Sequence, residues 1–367
     1  MQRLLWLALA AVLGAAVPAA AQFPIFDAHI HYSRPDWDTY TPERALSILA
    51  AAGVRRAIVS STPDDGTLKL YEKAPKGIVP FLRPYRTRDD MGSWHSDPGV
   101  QAYIEERLKR GIYRGIGEFH LGAADASGPT VKRIAELAGE RDLFMQAHVD
   151  DVAIERLLTL YPKVRFLWAH AGMSSSAATV GKLVERFPKL WVELALRTDV
   201  APGGTLDPEW RALFVKYPDR FLVGTDTWVT SRWEVIRDYH RAVQVWLGQL
   251  PRDVAESIAW KNGERLFSVI AEEEPAGEAK PSRGIEPSGG AIPDLPLRNA
   301  SAFLNSILTC DHASALQGVC SIARSTRLMR SHGCQRRAAS YCQHVLDRGA
   351  QMQAYSWSLP CLLFGSS

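Results

Sequence analysis

Along residues 23–270, short apolar runs alternate with longer stretches in which apolar residues recur every three or four positions. The runs have strand length and the stretches have the period of an amphipathic helix. Eight runs read as β-strands: 23–31, 55–61, 77–83, 112–119, 143–149, 164–170, 190–196 and 220–226. Helix starts are marked at Thr41-Pro42, Asp97-Pro98 and Asp207-Pro208, each a capping residue followed by a proline suited to the first helical position. After the second run the helical signal is poor, because Pro63, Gly66 and Pro75 interrupt it. Eight strand-helix units predict a (β/α)8 TIM-like barrel. The competing open, doubly wound sheet lacks its usual Gly-rich phosphate turn after the first strand. Polar residues also gather at the C-terminal ends of the strands, where a barrel builds its active site.

The two ends of the chain read differently. Residues 1–21 have the form of a secretory signal peptide: Arg3, an apolar stretch over 4–16, then Ala19-Ala20-Ala21 before an expected cut ahead of Gln22. This predicts an exported, periplasmic protein with no membrane attachment once the signal is cleaved. The barrel is expected over 22–272. From 273 the composition shifts to Pro, Gly and Ser, no Lys occurs after 280, and all five cysteines fall between 310 and 361. An odd cysteine count argues against a closed disulfide framework, so 273–367 reads as an irregular, disordered or non-native extension. Hydrophobic residues make up 46% of the chain, enough for a large core, and a net charge of +3 is nearly balanced. With no dense basic cluster interleaved with aromatics in the first 270 residues, a nucleic-acid partner is not expected. A small-molecule partner is, and homo-oligomerisation stays open.

Chemistry enters at the strand ends. Asp27-Ala28-His29-Ile30-His31 closes the first strand, and residues two apart on a strand face the same side. His29 and His31 therefore project together, as two imidazole ligands for zinc or another divalent metal would. In order, the later strands end on Glu118 with His120 two residues beyond, His148, His170 and Asp226. In a barrel these converge on one mouth, with enough nitrogen and oxygen ligands for one or two ions. With no cysteine in the barrel region, the ligands must be His, Asp and Glu. Phe144, Gln146 and His148 are expected to alternate inward, and so are Phe166, Trp168 and His170.

The combination resembles the amidohydrolase superfamily, in particular its amidohydrolase-related (amidohydrolase-2 type) branch. The matching pieces are Asp27 to His31, Gln146-Ala147-His148, Trp168-Ala169-His170-Ala171-Gly172, Gly224-Thr225-Asp226-Thr227 and the closing Asn262-Gly263-Glu264-Arg265-Leu266-Phe267. The resemblance implies His29, His31 and Asp226 as ligands of a first metal, joined in many members by His148, and His170 as a catalytic or second-site histidine. Strand 4 offers no lysine for the carboxylated bridge of many members, but its Gly115-Ile116-Gly117-Glu118 is similar to the strand of TatD-like binuclear members. If Glu118 bridges, His148 and His170 serve a second ion; if it does not, the site holds one ion and His170 is free to polarise substrate. His120 has no clear counterpart and is carried as a substrate contact or a support for the ligands.

A metal here would bring the pKa of water to about 7, with Asp226 as general base and His170 or a second ion facing the oxyanion. Arg83, Arg86 and Arg197 are candidates to grip a substrate carboxylate bidentately, and Trp228 to wall the pocket. The expected activity is metal-dependent hydrolysis of a C–N or C–O bond. The alternatives are metal-dependent decarboxylation of a small unsaturated or aromatic acid, which this branch also resembles, and a catalytically silent exported binding protein.

Overall fold

The computed structural model describes residues 23–268. The expected signal segment 1–21, the tail 273–367 and all five cysteines lie outside the described residues.

Eight parallel strands stand in chain order: β1 (Ile25–Ile30), β2 (Val54–Val59), β3 (Ile78–Leu82), β4 (Gly115–His120), β5 (Phe144–His148), β6 (Arg165–Trp168), β7 (Leu190–Glu193) and β8 (Phe221–Leu222). Each is followed by a helix: α1 (Pro42–Ala51), α2 (Asp65–Lys73), α3 (Pro98–Leu108), α4 (Pro129–Glu140), α5 (Asp151–Leu160), α6 (Ala177–Arg186), α7 (Pro208–Lys216) and α8 (Ile236–Leu247). The sheet closes where the Ala28 N–H donates to Val223 O (2.9 Å) and the Asp226 N–H to His29 O (2.7 Å). This is the (β/α)8 barrel expected from the alternation. The three marked helix starts are capped as read: Thr41 accepts from Arg44 N, Asp97 from Gly99 N, and Asp207 from Glu209 N and Trp210 N.

Inside the barrel, Phe26, Ala28, Ile58, Val79, Phe81, Phe144, Leu167 and Leu222 form one buried cluster. Its floor is closed by Phe267, whose ring lies 4.9 Å from Phe144, 5.6 Å from Phe81 and 5.8 Å from Phe26. A larger cluster between strands and helices includes Ile104, Ile134, Leu157, Phe166, Trp168 and Phe214.

Two sequence expectations are corrected here. On β6 it is Leu167 that enters the inner cluster, while Phe166 and Trp168 pack outward and the Trp168 indole donates to Val149 O at 2.8 Å. His170 still reaches the mouth because the chain leaves the ladder at Trp168 and turns through left-handed backbone, with φ of 55° at His170 and 46° at Ala171. The poorly marked stretch after β2 is a full helix, α2. Gly66 fits it because a Cβ there would collide with the Tyr32 carbonyl oxygen. A residue read as an interruption is the one that lets α2 start against the neighbouring loop.

Asp64, just ahead of α2, is fully buried and ties that connection to the outer layer. It accepts from the Tyr113 hydroxyl at 2.5 Å and lies 3.4 Å from Arg107 Nη1. Burial pushes its carboxyl up to about 6, against the hydrogen bond from Tyr113 and the charge of Arg107. A carboxyl raised above its unfolded value binds its proton more tightly when folded, so its contribution is present below about pH 4 and lost as pH rises through about 6. Asp64→Asn removes that titration. Chemical denaturation at about pH 4 and about pH 7 should show wild type losing up to roughly 3 kcal/mol relative to the variant across this window; parallel stability profiles would contradict the assignment.

Candidate metal centre

The site is built by departures from regular strand geometry. On β1 the register shifts between Asp27 and Ile30. That irregularity leaves Phe26 and Ala28 on the floor and still turns His29 and His31 toward each other, Nε2 to Nε2 at 3.1 Å. On β4 one extra residue bulges between Gly117 and Phe119, and that residue is Glu118. Gly117 makes the bulge accessible: its φ is 133°, and a Cβ would strike the Gln146 carbonyl oxygen. Beyond β8, Asp226 adopts φ 59°, a left-handed conformation uncommon for non-glycine residues though favoured more by Asp than by most, and the surroundings hold it in place.

The imidazole tautomers follow from their partners. His29 Nδ1 lies 2.9 Å from Glu193 Oε2, His170 Nδ1 lies 3.1 Å from Ala195 O, and His31 Nδ1 meets Ser60 O. With each Nδ1–H donating outward, a neutral ring presents a bare Nε2 lone pair inward. These lone pairs face carboxylates: His29 Nε2 is 3.6 Å from Glu118 Oε1 and 3.8 Å from Asp226 Oδ1, and His31 Nε2 is 3.4 Å from Asp226 Oδ1. His170 Nε2 stands 3.5 Å from Glu118 Oε1 and 3.7 Å from Asp226 Oδ2. His170 Nε2 and Asp226 Oδ1 are buried with no hydrogen-bond partner. Ligand atoms about 2.0–2.1 Å from a tetrahedral zinc stand roughly 3.3 Å from one another, so these spacings are those of a coordination shell. Among the described residues three groups have ligand spacing: His29, His31 and Asp226; His29, Glu118 and His170; and Glu118, His120 and His148.

Burial opposes charge on all these groups, and their mutual attraction overrides it. Asp226, Glu118 and Glu193 hold the His29 imidazole well above its ordinary pKa despite burial. Glu118 is held well below the carboxylate range by His29 and Arg83, and Asp226 likewise by His29 and His31. His120 is different: burial pushes it down to about 4, with Glu118 opposing and His148 adding to the shift. Its Nδ1 faces the Tyr85 hydroxyl at 3.0 Å.

A family model for amidohydrolases matches residues 86–269. The chain belongs to the amidohydrolase family. Members of this family usually depend on a metal, and the buried His, Glu and Asp groups are able to hold one. Among solved structures, a putative 2-pyrone-4,6-dicarboxylic acid hydrolase from Pseudomonas putida shares 16% identity with this amidohydrolase, covering 67% of this chain and 97% of its own at a TM-score of 0.50. A probable hydrolase of the same acid from Acinetobacter baumannii shares 12%, covering 67% and 100% at 0.49. A TatD homologue from Escherichia coli K12 shares 17%, covering 67% and 98% at 0.47. At such identities the likeness is one of fold. No curated protein matches the sequence.

The remaining sequence candidates are placed as follows. His148 Nδ1 lies 2.7 Å from Glu118 Oε1, so it joins the centre through Glu118 and groups with His120 rather than with His29 and His31. The three arginines expected to grip a substrate are engaged within the protein. Arg83 pairs with Glu118 at 2.6 Å, and Arg86 with Asp90 at 2.7 Å and Asp97 at 2.5 Å. Arg197 pairs with Asp199 at 2.7 Å and donates to the Ala171 and Ser175 carbonyls. Trp228 is 53% exposed beside the Asp226 turn.

Glu193 is the functional residue that sequence reasoning missed. It is fully buried, orients the His29 ring through Nδ1 and accepts from the His170 amide at 3.2 Å. The signal was a lone carboxylate inside the apolar run Leu190-Trp191-Val192-Glu193-Leu194-Ala195-Leu196. Glu193→Gln keeps the shape and loses the charge behind His29. Competition titration against a chelator should find zinc bound roughly tenfold to a hundredfold more weakly; unchanged affinity would remove Glu193 from the ligand support.

Proposed function

We propose that this chain is a metal-dependent hydrolase acting on a C–N or C–O bond of a small molecule, with zinc as the ion, one or two per chain. The observation that carries the reading is the convergence of three histidine Nε2 lone pairs with Asp226 at ligand spacing, two atoms of the set being buried without a partner. Two bare nitrogens 3.1 Å apart repel unless a proton or a metal ion lies between them.

His29, His31 and Asp226 would hold the ion, and Glu118 and His170, which have ligand spacing with His29, would hold it too or hold a second. When bound, such an ion supplies Lewis acidity and lowers the pKa of water. Asp226 accepts the proton of the attacking water and returns it to the leaving group; its pKa, depressed by His29 and His31, keeps it ionised as a base must be. His170 Nε2 faces the same space from the opposite side of Asp226, where it is positioned either as a ligand or, protonated, as a donor to the developing oxyanion. Glu193 and Ser60 hold His29 and His31 in the tautomers this requires. Arg83 fixes Glu118 and keeps it anionic. Phe26, Phe81, Phe144 and Phe267 keep the floor apolar and exclude water from below.

The decarboxylase alternative leaned on Arg83 and Arg86 as a grip for an acid, and both have internal partners. Hydrolysis is therefore the reading we carry, in an exported, periplasmic protein. Asp226→Asn, assayed under metal-replete conditions on a panel of aryl esters and anilides, should lower kcat roughly 10²- to 10⁴-fold while metal remains bound. Full turnover in the metal-loaded variant would refute the general-base role.

A further inference from the structure

Beside the centre lies a cavity of about 580 Å³, within the range that takes a small-molecule ligand. His120 and His148 line it, and the 2.7 Å contact of His148 Nδ1 with Glu118 Oε1 places the cavity next to the centre. Its lining is mixed: Met91, Leu121, Val149 and Met173 supply apolar, adaptable surface beside polar residues. Its ionisable lining away from the centre is His95, Asp125 and Asp150. Asp125 is close to half exposed, and the charged partner it has is His95, whose Nδ1 stands 3.8 Å away. Asp150 caps α5 through Ala153 N and is exposed. Among the described residues no lysine or arginine lines the cavity. The arginines nearest the centre are committed elsewhere: Arg83 to Glu118, Arg86 to Asp90 and Asp97, Arg197 to Asp199, and Arg232 to the carbonyls of Thr225 and Asp226.

We propose that this cavity selects an uncharged substrate with an apolar body and rejects substrates carrying an anionic group away from the scissile bond. The inference rests on the hydrolase reading and names the substrate class of that same site. A carboxylate entering the cavity would find no lysine or arginine in its lining and would face the carboxylates of Asp125 and Asp150. A neutral ester or amide meets Met and Leu surface along its body and has the imidazole of His95 and the hydroxyl of Ser174 for a polar group. The asymmetry also serves turnover. Water adds its oxygen to the acyl carbon, the C–O or C–N bond breaks, the leaving group takes a proton, and the acid formed is an anion that the same carboxylates expel.

The test uses the full-length, zinc-loaded protein and two esters of equal chain length, 4-nitrophenyl butyrate and 4-nitrophenyl hemisuccinate, which differ by a methyl or a carboxylate at the far end. We expect kcat/KM for the butyrate to exceed that for the hemisuccinate by at least about tenfold after correction for spontaneous hydrolysis. His95→Arg, which adds a cation to the cavity wall, should narrow the gap. Calorimetric binding of the two 4-nitroanilides of the same acids to the zinc-loaded Asp226→Asn variant, which is expected to turn them over too slowly to interfere, separates this inference from the hydrolase reading. Selective binding of the neutral anilide with no turnover of either ester would sustain the inference and sink the hydrolase reading. Equal or preferential use of the anionic member, or binding of neither anilide, would overturn the inference.

Discussion

Three carboxylates and three imidazoles share one buried space at the mouth of this barrel, and two of their atoms, His170 Nε2 and Asp226 Oδ1, have no hydrogen-bond partner there. Glu118, Glu193 and Asp226 are each at most 4% exposed, and His29, His31 and His170 at most 1%. Isolated buried charges of one sign are unstable unless they are paired or neutralised. Arg83 compensates one oxygen of Glu118, and Asp226, Glu118 and Glu193 together raise the His29 pKa despite its burial, so the cluster as a whole favours positive charge. A divalent ion would meet that demand and would also take up the inward lone pairs of His31 and His170.

The fold is organised to hold this set still. The ligands come from the ends of several strands, His29 and His31 together from β1 and Glu118, His170 and Asp226 from β4, β6 and β8, so their positions depend on the ladder below, and the aromatic floor around Phe267 packs against that ladder from beneath. The irregularities sit where the chemistry is: the shift on β1, the bulge at Glu118, and the left-handed turns at His170 and Asp226. Glu193 and the carbonyls of Ser60 and Ala195 then fix the rings themselves. The adjoining cavity is a different environment, roomy and partly open, and its carboxylates are Asp125 and Asp150.

Much of this was legible before any coordinates. All eight strands and the barrel follow from the period of the apolar residues, because a parallel barrel buries both faces of every strand and leaves unbroken apolar runs. The convergence of His29, His31, Glu118, His148, His170 and Asp226 follows from the rule that strand ends share a mouth. What the pattern could not carry is local geometry. Strict alternation places Phe166 and Trp168 inside, but one left-handed turn re-aims His170 and leaves Leu167 as the inner residue. Arg83, Arg86 and Arg197 look free in a linear sequence, because their partners Glu118, Asp90, Asp97 and Asp199 are recognisable as partners only in space. Glu193 was in plain sight as the one charge in an apolar strand and could have been read as a ligand support on that ground.

The account stands on a cation completing the buried cluster, and thermal unfolding of the full-length protein with its metal content measured alongside tests that most directly. With zinc bound, the protein should retain one or two ions per chain through dialysis. It should also melt well above its chelator-treated form, by the equivalent of about 4 kcal/mol when free zinc is a thousandfold above Kd. A protein that retains no ion and melts at the same temperature with zinc or chelator would contradict the account.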